Sequence, residues 1–411
     1  MRRDLRIMWS SNGVWTNSGY GVFSQQLLSR MLEDGWNVQH IAFWGLEGYP
    51  IEIDMGQFNP RFKGKILKTY PRMEDQFGSD GLVLHANEAK PDVTFTMQDI
   101  WTLNTQFLQQ VKNWIPYMPI DKDPAPPIVT ERFKFAHRLM TFSQFGHDTT
   151  AKAGYASTLI LEGTDTSIFK PEDKIQARQF LGLPTEAFIF GMIAANKENP
   201  PRKGWEEALD AFYEFEKTHP DAFLYAHIQQ QAPMGFPVMQ YARHLGVAHK
   251  LIFLDPYKSV FGANSHFVKM EMNALDVLLH PSQTEGFGLT PVEAMSCGVP
   301  AIVGGNTAQP EMIVEGKTGW ITPVSSKRYT ADMSYVYRVD VPSLIKKMNE
   351  AYDAVKKDGK KIAKQCRDHV VKKYNMDTLY TQKWKPFLER IQEEILGPKD
   401  EKATITAQKP Q

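Results

Sequence analysis

His280-Pro281-Ser282-Gln283-Thr284-Glu285-Gly286-Phe287-Gly288-Leu289-Thr290-Pro291-Val292-Glu293-Ala294-Met295-Ser296-Cys297-Gly298-Val299-Pro300 decides how this chain is read. The Val- and Leu-rich residues 274–280 run into it with the pattern of a buried strand, and Ala301-Ile302-Val303 opens another strand behind it. Gly286 and Gly288 let backbone approach a ligand closely. Thr290 begins a short helix with Pro291 at its first position, and Gly298 and Pro300 end it. Strand, loop, helix and strand make a βαβ unit, whose exposed helix-start N–H groups favour an anion.

The same alternation extends in both directions. On one side, residues 188–194, 222–227 and 251–253 read as strands, separated by helical patterns over 205–219 and 238–245. Toward the start, residues 5–9 read as a buried strand, 10–21 as a Gly/Asn/Ser-rich loop and 22–34 as a helix closed by Gly35. Further strands are expected at 36–43, 91–97, 115–119, 139–142 and 158–161, and Ser143 is expected to cap a helix over 144–153. Two such sets predict an α/β protein of two Rossmann-like domains facing across a cleft. The expected division is 1–171 and 172–375, with helix 376–396 returning to the first domain and 397–411 a polar, mobile tail.

The length of 411 residues suits two domains of the usual size of roughly 100–200. Lys+Arg and Asp+Glu balance at 47 each, which argues against a dedicated nucleic-acid coat or a strongly basic membrane clamp. Two cysteines, Cys297 and Cys366, are too few for a disulfide framework or a Cys-based zinc site, which points to a reducing compartment. The apolar stretch after Met1-Arg2-Arg3-Asp4 is too short for a signal peptide, and no apolar run is long enough to span a bilayer. A cytoplasmic location is expected, with peripheral attachment to a membrane as a second setting. A basic cluster, Arg61, Lys63, Lys65, Lys68 and Arg72, suits either a solvated loop or a surface for membrane or nucleic acid.

Thr290 and Glu293 have the spacing of a capping box, which would occupy Glu293 structurally. Glu285, beside two glycines in a strand-to-helix loop, serves no periodic face. The whole stretch resembles the donor-site signature of family 4 retaining glycosyltransferases. That signature is two glutamates with seven residues between them, in E-G-F-G-L-x-x-x-E-A-M-x-x-G-x-P, and it is matched by Glu285, Gly286, Phe287, Gly288, Leu289, Glu293, Ala294, Met295, Gly298 and Pro300. Asp276, Glu311 and Gly316-Lys317-Thr318-Gly319-Trp320 add supporting context.

The resemblance implies a GT-B fold whose second domain binds a nucleotide-diphosphate sugar. Glu293 would hold the ribose hydroxyls, and Glu285 would sit by the transferred sugar. Backbone N–H groups of Phe287, Gly288 and Leu289, with Gly286 and Thr290 beside them, would lie near the sugar or diphosphate. In the loop Asn196-Lys197-Glu198-Asn199-Pro200-Pro201-Arg202-Lys203-Gly204, Lys203 matches the family's Lys-Gly element. Arg202 is the second cation, placed less firmly because an insertion with two prolines replaces the usual Gly-Arg. Together they would neutralise the departing diphosphate. Asn196 is a further donor candidate. Gly19, Tyr20 and Gly21 suit either a loop touching the diphosphate or acceptor, or a plain tight turn.

The family's histidine is missing after the strand at 115–119, where Asp121 is the nearest polar candidate. Asp99, with Trp101 close by, ends another strand on the same side and is a second carboxylate for an acceptor. The landmarks Ser143-Gln144-Phe145-Gly146 and Glu162-Gly163-Thr164-Asp165 read as architectural, and His280 as packed or hydrogen-bonded. No histidine pair has metal-ligand spacing, and Asp121-Lys122-Asp123 carries a lysine between its carboxylates. No metal or other cofactor is expected beyond the sugar nucleotide. The acceptor expected is a carbohydrate or lipid-linked glycan, with a modified nucleobase in nucleic acid as the second class. A nucleotide-sugar epimerase or hydrolase, and an inactive nucleotide-sugar-binding protein, remain open beside the transferase.

Overall fold

The computed structural model describes residues 5–230 and 232–397. Of the expected tail at 397–411, all but Gly397 lies outside them. The strands are β1 (Arg6–Asn12), β2 (Asn37–Trp44), β3 (Ile51–Asp54), β4 (Ile66–Pro71), β5 (Val93–Thr96), β6 (Trp114–Met118), β7 (Leu139–Thr141) and β8 (Ser157–Leu159), then β9 (Phe188–Ile193), β10 (Ala222–His227), β11 (Leu251–Phe253), β12 (Val277–His280), β13 (Ala301–Gly304), β14 (Gly319–Thr322), β15 (Val324–Tyr329) and β16 (Tyr335–Val339). The first eight form one sheet in the order β3-β4-β2-β1-β5-β6-β7-β8, and the next six form a second in the order β11-β10-β9-β12-β13-β14. Pairing is parallel throughout except for the edge pair β3–β4 and the separate hairpin β15–β16. These are the two Rossmann-like lobes that the sequence leads one to expect.

Each sheet reverses its strand order once, at β1/β5 in the first and β9/β12 in the second. In open parallel sheets, ligands bind outside the carboxyl ends of the strands at such a reversal. The loops after β1, β5, β9 and β12 are therefore the ones that matter.

Local chemistry explains where the elements differ from expectation. The first helix covers Gly19–Glu33 rather than starting at 22, because Ser18 Oγ accepts from Gly21 N at 3.1 Å and caps it early. Tyr20 and Gly21 thus belong to a helical turn, not a loop. Residues 265–274 form a helix ahead of β12, so the strand expected at 274–280 is only Val277–His280. The second long helix begins at Val341, capped by Asp340, and carries a non-helical residue at Asp358. Strand β4, next to the edge strand β3, interrupts the expected basic loop.

Three of that loop's cations are consumed in ion pairs: Arg61 with Glu33 and Asp377, Lys68 with Glu88, and Arg72 with Glu47. No helix among the described residues is long and apolar enough to cross a membrane.

The final helical segment packs on the first lobe. Trp384, fully buried, meets Trp9 at 5.8 Å and Tyr117 at 4.9 Å between ring centroids. Arg30 bonds Asp377 at 2.8 Å and Lys385 bonds Asp34 at 2.9 Å, fixing the return. The second lobe has its own core around Trp205, Phe190 and Phe212.

Candidate active site

Four carboxyl-end loops, with a fifth after β6, converge between the lobes. From the loop after β9 comes Lys203, whose Nζ is ion-paired with Glu285 Oε1 from the loop after β12. His280, at the end of β12, brings its Nε2 to 3.2 Å from the same oxygen. Burial favours a protonated Glu285, but Lys203, His280 and Arg202 outweigh it and hold the carboxyl well below the usual carboxylate range. Burial pulls His280 the other way, toward its neutral form. Arg202 donates from Nη1 to Thr284 O at 2.8 Å and reaches Glu198 at 3.3 Å. Burial opposes its charge, but Glu285, Asp121, Glu198 and Asp99 outweigh it and raise its pKa, so the β9 loop supplies two cations to one crevice.

The first lobe faces these groups with carboxylates. Asp121, after β6, accepts from Thr284 Oγ1 at 3.2 Å, a contact made across the cleft. Asp99, after β5, accepts from Tyr20 OH at 3.1 Å. Burial, then the neighbouring Asp121, pushes Asp99 up to about 6. Trp101 stands at the rim, half exposed, with its ring 6.4 Å from Phe77. Asp123 is paired with Lys152 rather than facing Asp121. No group of three or more His, Cys, Asp or Glu suited to a metal occurs among the described residues.

The helix after the glycines runs from Leu289 to Ser296, with Gly288 in the capping position and no side-chain cap. Thr290 therefore lies inside the first turn, and the capping-box role for Thr290 and Glu293 is corrected. Gly288 has φ +117°, a left-handed conformation that side chains resist, and a Cβ there would lie 2.9 Å from Met312 Cε. No side chain caps the helix start at Leu289, and Gly19 of the first lobe lies across from it, where a Cβ would sit 3.6 Å from Leu289 Cδ1. Gly286 lets the second lobe close on Pro119 of the first, since a Cβ there would meet Pro119 Cβ at 2.7 Å. Phe287 is buried against Tyr374, with centroids 5.8 Å apart. Glu293 is 8% exposed, accepts no hydrogen bond among the described residues, and is pushed up to about 8 by burial.

Several sequence candidates have other duties. Asn196 spends both ends of its amide on the Phe236 backbone, each at 2.9 Å, which pins the loop after β10. Gly21 is packed beneath Thr16, where a Cβ would meet Oγ1 at 2.2 Å. Asp276 lies ahead of β12 and holds Arg178 at 2.7 Å and Lys174 at 2.6 Å, at the opposite end of the sheet. Glu311 crosses the cleft to accept from Gln144 N at 2.8 Å and Phe145 N at 3.2 Å, so it caps a helix of the other lobe.

One residue read as architectural belongs in the crevice instead. Glu162, 4% exposed, is pushed up to about 8 by burial first and then by the charges of Glu285 and Glu293. A signal for it existed in the sequence: a carboxylate directly after an apolar strand end, at the carboxyl edge of a sheet.

Residues 173–350 match the protein family described as Glycosyl transferases group 1. The lipopolysaccharide core biosynthesis mannosyltransferase LpsB of Rhizobium meliloti is 28% identical over 205 residues, which is 48% of this chain and 54% of that protein. The chain thus spans about half the length of that curated relative. Among solved structures, sucrose-phosphate synthase from Thermosynechococcus elongatus superposes with a TM-score of 0.72 at 16% identity, over 94% of this chain and 99% of the other. Anabaena HepE in complex with UDP and glucose gives 0.68 at 16% identity, over 94% and 100%. The fold is that of GT-B glycosyltransferases.

Proposed function

We propose that this protein transfers a sugar from a nucleotide-diphosphate sugar to an acceptor hydroxyl, with retention at the anomeric carbon and without a divalent metal. The observation that carries the reading is the pairing of Lys203 with Glu285, beside Arg202, where the carboxyl ends of β9 and β12 meet opposite Asp99 and Asp121. The match of residues 173–350 to a glycosyltransferase family and the UDP and glucose held by the HepE structure support it.

In this reading Glu293 takes the ribose hydroxyls and the helix start at Leu289 takes the sugar or diphosphate. Glu285, ionised by Lys203, orients the sugar's hydroxyls. As the anomeric C–O bond breaks, negative charge grows on the diphosphate, and Arg202 and Lys203 neutralise it in a water-poor crevice. The acceptor hydroxyl attacks from the face the leaving group departs, and its proton passes to a phosphate oxygen of that leaving group. Asp99 and Asp121 hold the hydroxyl against that same face, which contributes through positioning. Paired carboxylates suit a neutral, hydroxyl-rich acceptor, a carbohydrate or lipid-linked glycan ahead of a nucleobase.

The test is the anomeric configuration of the product, read by proton NMR after incubation with UDP-, GDP- or ADP-sugars and saccharide acceptors. Retention is expected, at a rate unchanged by EDTA. An inverted product, or activity lost to EDTA and restored by a divalent ion, overturns the reading. Sugar isomerised or released equally well with and without an acceptor assigns the protein to epimerases or hydrolases.

A further inference from the structure

The loops after β2, β4 and β5 all leave the carboxyl edge of the first sheet, and the last of them carries Asp99. Each presents a large aromatic ring to solvent: Trp44 is 55% exposed, Phe77 36% and Trp101 49%. Large apolar side chains exposed singly are ordinary, but these are gathered. The rings of Phe77 and Trp101 lie 6.4 Å apart although their loops follow different strands. Trp44 comes directly after Phe43, on which the Phe77–Gly78 turn packs, since a Cβ on Gly78 would lie 2.5 Å from Phe43 Cβ. Met73, in the same loop as Phe77, is exposed as well.

Backbone hydrogen bonds fix the loops that carry these rings. Gln98 Nε2 donates to Phe77 O at 3.2 Å and to Thr102 Oγ1 at 3.1 Å, which joins the loops after β4 and β5. Thr102 N donates to Asp99 O at 3.1 Å, so Trp101 sits in a single turn that starts at Asp99. Arg72 N donates to Leu46 O at 3.0 Å and ties the loop after β2 to the loop after β4. A ligand that meets this surface loses little affinity to ordering the protein.

Charge decides among the ligands an aromatic patch can take. Residues 44–50, 72–80 and 97–102 contain five acids, Glu47, Glu74, Asp75, Asp80 and Asp99. Their one cation is Arg72, and Glu47 occupies it. Such loops repel a phosphate backbone or an anionic lipid surface. They do not repel a neutral saccharide, whose C–H face stacks on an aromatic ring while its hydroxyls donate to carboxylates.

We propose that Phe77 and Trp101, bordered by Trp44 and Met73, form an acceptor subsite that stacks on the sugar rings of an uncharged oligosaccharide and brings its terminal hydroxyl to Asp99. The acceptor is then a chain of sugars rather than a single sugar, a nucleic acid or a lipid headgroup. This rests on the transferase reading above and adds to it the part of the acceptor that does not react.

The experiment is a glycan array of single sugars and of neutral and anionic oligosaccharides, probed with fluorescently labelled wild-type protein, Trp101→Ala, Trp101→Phe and Phe77→Ala. Wild type should bind neutral oligosaccharides in preference to single sugars and anionic chains. Trp101→Ala and Phe77→Ala should need at least about tenfold more protein for the same signal, as the loss of one stacked ring implies. Trp101→Phe, which keeps a flat ring, should recover the binding. Vesicles of phosphatidylglycerol and single-stranded DNA and RNA are assayed beside the array, and wild type should bind none of them. Both rings lie at the surface, so the alanine variants should fold; if one does not, the other decides.

No neutral oligosaccharide bound by wild type, or equal binding by wild type and the alanine variants, overturns the subsite. So does binding to vesicles or nucleic acid that Trp101→Ala abolishes, which assigns the patch to that partner instead. Calorimetry with UDP, GDP and ADP tests the donor reading separately. A wild-type protein that binds none of these nucleotides overturns that reading, and the acceptor role with it, whatever the array shows.

Discussion

At the scale of single residues, the crevice is a set of carboxyl groups sorted by their surroundings. Glu285 is ionised because Lys203 touches it; Glu162 and Glu293 keep their protons because nothing does. Asp99 lies between, at about 6, and so is charged at neutral pH and protonated in mild acid. If charged Asp99 accepts the acceptor's hydroxyl proton as a hydrogen bond, kcat/KM for the acceptor falls as pH drops through about 6. Asp99→Asn should lower the rate at neutral pH and remove that acid limb. An unchanged limb in the variant contradicts the assignment. The pair Glu285 and Lys203 was legible in the sequence, because glycines and a helix start surround the one and a strand-to-helix loop carries the other. Glu162 was passed over because Glu162-Gly163-Thr164-Asp165 reads as an architectural landmark, although a carboxylate directly after an apolar strand end was a signal for it.

At the scale of elements, caps and edges decide what sequence patterns leave open. Ser18 starts the first helix three residues ahead of its apolar stripe, and Gly288 starts the helix Leu289–Ser296 without a side-chain cap. The edge strand β3 and its neighbour β4 escape a reading by apolar runs because Glu52 and Asp54 interrupt the first and Lys68 and Thr69 the second. The helix Gln144–Lys152 shows capping shared between lobes: Ser143 Oγ takes Gly146 N at 3.1 Å, and Glu311 takes Gln144 N and Phe145 N. Losing a cap of this kind costs about 0.5–2 kcal/mol. Here that energy favours the closed arrangement, so Glu311→Ala should open the cleft. Small-angle scattering should show a larger radius of gyration for the variant, and an identical radius contradicts the latch.

For the whole molecule, the two sheets place their strand-order reversals face to face, and the C-terminal segment ties the second lobe to the first. The strand–helix alternation made both sheets legible, and the motif after β12 pointed to the donor side. The acceptor side was less legible, because Asp99 and Asp121 acquire meaning only when Tyr20 and Thr284 arrive from distant segments. Lys122 of the first lobe also pairs with Asp332 in the turn of the β15–β16 hairpin, and Tyr337 N of that hairpin bonds Gln283 O at 3.2 Å. The hairpin therefore forms one wall of the cleft beside the loop after β6.

All of this depends on the crevice gripping a sugar nucleotide through Lys203. The direct measurement is the release of nucleoside diphosphate from UDP-, GDP- and ADP-sugars, in the presence of saccharide acceptors, by the wild-type protein and by Lys203→Ala, with circular dichroism showing both folded. The account predicts release from one donor class by wild type, and a fall of more than about tenfold in the variant, the least expected from losing one such charge-stabilising group. Equal release by the two proteins, or none by wild type from any donor, would contradict it.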